Sequence, residues 1–181
     1  HGGVCVVVDA NETIIRRALE RGFLDVQASS LPEAIEMAEE AKAKKKPLGI
    51  GIHGNAADLF SQALDLGWKP DVISEMCPCH DPLSYIPLGY TPEEARALRE
   101  RDRLRYLDVA RESMKKQLGA MIEYYDRGVA VFEYGTSIRK ECRDAGMPEE
   151  QAMKIPGFVA AYIRPLFLLG RGPFRWTCLS G

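Results

Sequence analysis

The feature that most limits what this chain can fold into is an alternation: short apolar runs rich in β-branched residues take turns with longer, capped, amphipathic segments. VCVVV (Val4 to Val8) is the first run and reads as a buried strand with Asp9 at its carboxyl end. Asn11 is placed to cap a helix over about 11–21, and Gly22 to stop it. Ser30 and Glu33 form a capping box with Pro32 in the first turn, opening a helix that runs to about Lys45. That helix ends in KAKKK, whose lysines suit a helix C-terminus and read as a solvated end rather than a binding patch. LGIGI (Leu48 to Ile52) is the second strand, HGNAADLFSQALDLG a turn and helix closing at Gly67, and DVIS (Asp71 to Ser74) a third strand.

Thr91 caps the next helix, with Pro92 in its first turn and Glu94 completing another capping box. From Arg99 to Asp126, Leu104, Leu107, Met114, Leu118, Met121, Ile122 and Tyr125 recur at helical spacing, which predicts a long amphipathic helix with a break near Asp102. GVAVFEYG (Gly128 to Gly135) is the fourth strand, and helices follow at about 136–145 and 158–169. Strand and helix in this order predict an α/β fold, a parallel sheet with flanking helices. A chain of 181 residues, 46% of them hydrophobic, suits one core rather than two.

The 24 basic and 26 acidic residues leave a net charge of -2, which excludes the broad positive field that a nucleic-acid partner needs. No apolar run is long enough to span a membrane, and HGGVCVVVDANE lacks the basic flank and cleavage site of a secretory signal. Five cysteines, scattered except for one pair, do not form a disulfide framework, so a reducing, cytoplasmic setting is expected.

Open α/β sheets bind ligands at the carboxyl ends of their strands, where loops and helix N-termini present amide N–H groups. Here those ends carry Asp9, His53-Gly54-Asn55, Glu75 to His80, and Tyr134-Gly135. Asp9 can accept two hydrogen bonds from a ribose, or it can cap a helix. HGNAA brings a glycine and small residues to a helix start, which fits close approach of a ligand and equally an Asn N-cap. Tyr134 offers a ring and hydroxyl, with a core tyrosine as the plainer reading.

CPCH (Cys77 to His80) resembles several cofactor motifs without meeting their spacing. Haem attachment needs two residues between the cysteines, and only Pro78 stands there. Structural zinc needs a second ligand pair, which Cys5, Cys142 and Cys178 do not supply. Cys77 or Cys79 with His80 and Asp81 is the remaining metal reading, but the expectation is no metal. A C-x-C disulfide closes a strained short loop. A proline turn whose small side chains pack under a ligand accounts best for the stretch. In GPFRW, Arg175 lies between two aromatics and suits a carboxylate through two parallel hydrogen bonds, with a surface cation–π contact as the alternative.

HGNAA, CHDPLSYIP, FEYGTSIR, PGFVAAYIRPLF and GPFRW, in this order and at these intervals, resemble the central part of the urocanase (urocanate hydratase) family. The resemblance runs through nearly all 181 residues and is most specific at PGFVAAYIRPLF with GPFRW. It implies a three-layer, Rossmann-like NAD-binding domain at the centre of a longer cytoplasmic homodimeric enzyme of histidine degradation. In that family NAD is tightly bound and serves as an electrophile toward urocanate, whose ring then accepts water to give imidazolonepropionate.

Position by position, the resemblance makes Asp9 the ribose-binding acid, puts Asn55 and Ala56 beside the cofactor, and brings Tyr134 near the nicotinamide. Met76, Cys77, Pro78, Cys79 and His80 stand where the family has Gln-Thr-Ser-Ala-His, so only His80 is retained. Tyr85 and Ile86 match a Tyr-Leu pair, and Arg175 is expected at the substrate carboxylate. Cys77 and Pro78 remove two hydroxyls and one backbone N–H from that cofactor loop. Leu168 and Leu169 replace a common Cys-Arg pair, which implies a divergent branch or an altered substrate pocket. The family's Gly-rich loop and reactive cysteine fall outside this stretch, so the segment by itself is expected to hold cofactor rather than to catalyse. Two rivals stand beside this expectation: a hydratase of a modified urocanate such as a thiolated imidazole, and a non-catalytic binding module.

Overall fold

The computed structural model describes residues 2–171. Strands β1 (Val4–Asp9), β2 (Val26–Ala28), β3 (Leu48–His53), β4 (Val72–Glu75) and β5 (Ala130–Glu133) alternate with helices. The helices are α1 (Glu12–Glu20), α2 (Leu31–Ala43), α3 (Ala56–Asp65), α4 (Pro92–Arg101), α5 (Arg103–Asp126), α6 (Ile138–Asp144) and α7 (Glu149–Ala152). A single π-helical turn, Val159–Ile163, then runs into α8 (Arg164–Leu168).

Local capping places most of these boundaries. Asn11 accepts a hydrogen bond from the Thr13 N–H at 3.0 Å and starts α1. Thr91 and Glu94 exchange both bonds of a capping box at the start of α4. Asp102 ends α4 and opens α5, its carboxylate accepting from the Arg105 N–H at 2.9 Å, which is the break that the sequence predicts. At α2 the box is only half formed. Ser30 accepts from the Glu33 N–H, but the Glu33 carboxylate turns to the Ser29 N–H at 2.7 Å.

The strands form two parallel ladders. β3 lies between β1 and β2, with Asp9 opposite His53, and β4 pairs with β5, with Glu75 opposite Glu133. Both ladders are thus parallel sheets flanked by helices, as the alternation predicts. The core between strands and helices includes Ile50, Ile52, Val131, Met114, Leu118 and Met121. α5 packs against α3, α4, α6 and β5, so this one long helix touches parts of both halves of the chain. Gly51 allows close packing over β3: a Cβ there would lie 2.8 Å from side-chain atoms of both Ile15 and Leu24.

Three expectations change. β1 is the edge strand of its ladder and not fully buried: Cys5 is exposed and Val7 is partly so, because β3 pairs with only one of its edges. β2 escapes a search for apolar runs, since its three residues are VQA with a glutamine at the centre. On α5 the buried stripe begins at Tyr106 and continues through Ala110, Met114 and Leu118, which leaves Leu104 off its phase and Tyr125 at its margin.

Candidate functional site

The carboxyl ends of β1 and β3 form the first edge. The Gly54 N–H donates to the Asp9 carbonyl at 3.0 Å, continuing the ladder one step past the strands. Asp9 turns its Oδ1 back to accept from the Asn11 N–H at 2.7 Å, and its other oxygen has no hydrogen bond within the described residues. Partial burial raises the Asp9 carboxyl above its ordinary value, against the opposing pull of the Asn11 N–H and the His53 charge. Asn55 caps α3, its Oδ1 accepting from the Ala57 N–H at 3.0 Å, while its Nδ2 donates to the Ile86 carbonyl at 2.9 Å. Both ends of that amide are therefore engaged by protein, and Asn55 ties the loop after β4 to the first ladder. Ala56, half-buried, is the first residue of α3.

The second edge is built differently. Glu75 and Glu133 end β4 and β5 side by side and are both buried, 3% and 5% exposed. The Thr136 hydroxyl donates to Glu75 Oε1, and the Cys77 N–H donates to Oε2 at 3.0 Å. Burial is the main force on Glu75 and pushes its carboxyl up to about 6; these donors oppose the rise, and the Glu133 charge adds to it. Glu133 is held by the Ser137 N–H and by Arg139 Nε, each at 2.8 Å, and Arg139 also donates to the Ile155 carbonyl at 3.2 Å. Two backbone features make room for this clamp. Ser137 adopts the left-handed region at φ 72°, and a Cβ at Gly157 would lie 2.8 Å from the Arg139 guanidinium.

Between the edges lies CPCH. The Cys79 N–H donates to the Cys77 carbonyl at 2.8 Å, closing a three-residue turn around Pro78. Met76, Pro78 and His80 are exposed, Cys77 is partly exposed and Cys79 is buried. Asp81 anchors the following turn by accepting from the Leu83 N–H at 3.2 Å and the Ser84 hydroxyl at 2.7 Å, and Ser84 chiefly holds its carboxyl below the ordinary value. Among the described residues no group of three or more His, Cys, Asp and Glu side chains converges to hold a metal. Instead the loop is fastened from below. Gln117 of α5, fully buried, places its Nε2 3.2 Å from Cys77 Sγ and accepts from the Tyr85 hydroxyl at 2.9 Å. Tyr106 in turn donates to the Tyr85 carbonyl at 2.8 Å. Tyr85 is thus a support of the loop with its hydroxyl turned inside, and Ile86 beside it is half-buried.

Tyr134 stands exposed just past β5, its ring 4.8 Å from that of Phe158, and Phe132 and Tyr162 complete an aromatic cluster. Arg175 lies outside the described residues. The sequence placed Glu75 at a strand end without giving it a role of its own, and did not single out Glu133, Thr136 or Gln117. An acidic residue ending each of two strands was the visible signal for the two glutamates; for Gln117 the only hint was a polar residue on an apolar stripe.

As a ligand surface, Asp9, with one carboxylate oxygen unbonded among the described residues, and exposed Met76 and Tyr134 have the chemistry to meet the sugar and ring portions of a dinucleotide. Arg139 and Arg99, whose side chains reach these loops, are engaged by Glu133 and by the Leu83 carbonyl. The described residues therefore fit the sugar-and-ring half better than a pyrophosphate. A family model described as the urocanase Rossmann-like domain matches residues 1–162.

Proposed function

Because this chain belongs to the urocanase family, we propose that it is the NAD-binding part of a hydro-lyase that adds water to urocanate and yields imidazolonepropionate. The family match over residues 1–162 carries this reading, and the parallel-strand edges with Asp9, Met76 and Tyr134 support it. When bound, oxidised NAD would supply an electron-accepting ring, the part of the chemistry that side chains cannot provide. Asp9 would orient a ribose through the oxygen that Asn11 leaves open, and Met76 and Tyr134 would shield one side of the ring portion from water. His80, exposed four residues after Met76, would share its surface loop. Asn55 and Tyr85 act by holding that loop in place rather than through a free polar atom of their own. Arg175 would meet the substrate carboxylate, and the working enzyme would be a cytoplasmic homodimer acting on a small molecule.

The test uses the full-length protein. Denaturation followed by mass spectrometry should release NAD at close to one molecule per chain, and the native protein should bleach urocanate absorbance. Absence of NAD would sink the proposal and favour a binding module. NAD with unchanged urocanate absorbance would move the substrate to a modified urocanate, a second reading that the Cys77-Pro78 and Leu168-Leu169 replacements favour.

A further inference from the structure

Two buried carboxylates stand side by side at the ends of β4 and β5, and the proposed hydratase chemistry uses neither. Removing a carboxylate from water is costly unless its oxygens are hydrogen-bonded, and here the bonds join segments far apart in the chain. Glu75 takes them from two different loops. Its Oε2 accepts from the Cys77 N–H at 3.0 Å, in the loop after β4, and its Oε1 accepts from the Thr136 hydroxyl, in the loop after β5. The second loop bends sharply around this contact, with Gly135 at φ 85° and Ser137 at φ 72°, both in the left-handed region. A serine stays there only where its surroundings enforce it, and the Ser137 N–H is held by the Glu133 carboxylate at 2.8 Å.

What this clamp carries lies one residue further on. Met76 and Tyr134 each follow directly on one of the paired acids, so the register of Glu75 opposite Glu133 starts them from neighbouring positions. Both are large and apolar, yet 77% and 44% exposed. Behind Tyr134, the Phe158 ring lies 4.8 Å away on a segment fastened to the same acids. The Glu133 N–H donates to the Pro156 carbonyl at 3.0 Å, and Arg139 links the Glu133 carboxylate to the Ile155 carbonyl.

We propose that Glu75 is a positioning residue for the ring of a bound dinucleotide: by joining the Cys77 amide to the Thr136 hydroxyl it fixes the loops after β4 and β5 to each other, and so presents Met76 and Tyr134 together to one flat ring. A flat ring gains most from two side chains already held in place, because ordering two loose loops on binding would cost affinity. Glu75 itself touches no ligand and acts through Thr136 and the Cys77 N–H. The identity of the ring rests on the NAD reading above, whereas the tether between the loops does not.

The test compares two ligands on the full-length protein: isotope-labelled NAD, and labelled ADP-ribose, which keeps both riboses and the pyrophosphate but lacks the nicotinamide. Each is exchanged into the protein by equilibrium dialysis and quantified by mass spectrometry. Thr136→Val replaces the hydroxyl by a methyl group and should weaken NAD binding by about tenfold while ADP-ribose binding stays unchanged. Thr136→Ser keeps the hydroxyl and should restore NAD binding. Glu75→Gln should retain it, since its amide can donate to Thr136 while its oxygen accepts from the Cys77 N–H. Equal weakening of both ligands in Thr136→Val, or no weakening of NAD, would overturn the positioning role and leave the NAD reading standing. A wild-type protein that takes up neither ligand would overturn the NAD reading and the ring role together. The tether has a check that needs no variant to fold: hydrogen exchange followed by NMR should find the Cys77 amide protected by at least about a hundredfold, and an unprotected amide there would overturn the tether whatever the protein binds.

Discussion

The two ladders end at the same side of their strands but treat polar groups in opposite ways. At the first edge, Asp9 and Asn55 are bonded mainly to their own neighbours two residues on, and His53 is exposed. At the second, Glu75 bonds to Thr136 and Glu133 to Arg139, both carboxylates buried, with Cys77, Gln117 and Tyr85 continuing the network beneath. At the first edge one oxygen of Asp9 has no hydrogen-bond partner among the described residues. The second uses its oxygens to hold backbone and side chains together. Chemical availability and structural commitment are therefore separated between the ladders.

The sharpest way to break this comparison is to remove a partner from the second edge. Arg139→Met should leave the Glu133 carboxylate buried against Glu75 without its cation and destabilise the protein by about 3 kcal/mol. The shift of the urea midpoint measures it. A loss below about 1 kcal/mol would mean that solvent reaches Glu133 and that the two edges are alike.

Glu75 gives the next largest effect, and one with a defined sign. Its carboxyl is raised in the folded protein from the ordinary 4.5 to about 6, so folding favours the protonated form. The corresponding stability is fully present below pH 4.5 and is lost as pH rises through 6, a difference of about 2 kcal/mol. Glu75→Gln can still accept from the Cys77 N–H while its amide donates to Thr136, so it should flatten that part of the stability profile. Urea titrations across this range compare the two proteins, and an unchanged slope in the variant would assign the effect to another group.

The contrast between edges also explains what could be read from the sequence. Capping is local, so Asn11, Thr91 with Glu94, and the break at Asp102 could be placed from residues at most three apart. The strand order of alternating segments implied parallel pairing for the same reason, since each βα unit announces itself within its own length. The second edge is built across long separations: Glu75 meets Thr136 sixty-one residues on, and Cys77 meets Gln117 forty residues on. No spacing rule links such pairs. CPCH was noticed as a cluster of reactive residues, but its true partner was a glutamine on a helix stripe, and Asp81, adjacent to His80, proved to be a turn anchor. β2 failed differently, because three residues with a central glutamine carry too little pattern to register as a strand.

Asn55 lies at the seam and tests whether the edges are coupled. Asn55→Ala removes the cap of α3 and the bond to the Ile86 carbonyl together, for an expected loss of about 1.5 kcal/mol. Asn55→Asp keeps the cap but not the donor to Ile86. If the aspartate variant recovers full stability, the tether contributes nothing and the loop is held by Tyr85 and Gln117 alone.

The smallest expected effect is the most discriminating. Asp9→Asn keeps an oxygen for the Asn11 N–H and removes a charge that partial burial already disfavours. The sign follows from the raised carboxyl: any stability tied to protonation is present at low pH and lost as Asp9 ionises, so a permanently neutral amide should be neutral or slightly stabilising, within about 0.5 kcal/mol. If the first edge is where a ribose is received, the same variant should lower the amount of NAD that the full-length protein retains, with its urea midpoint unmoved. A midpoint that falls by as much as Arg139→Met would show that Asp9 is committed to the fold like Glu133, and the division between an available edge and a structural one would disappear. Loss of cofactor without loss of stability would instead place function where the protein has left a polar atom without a protein partner.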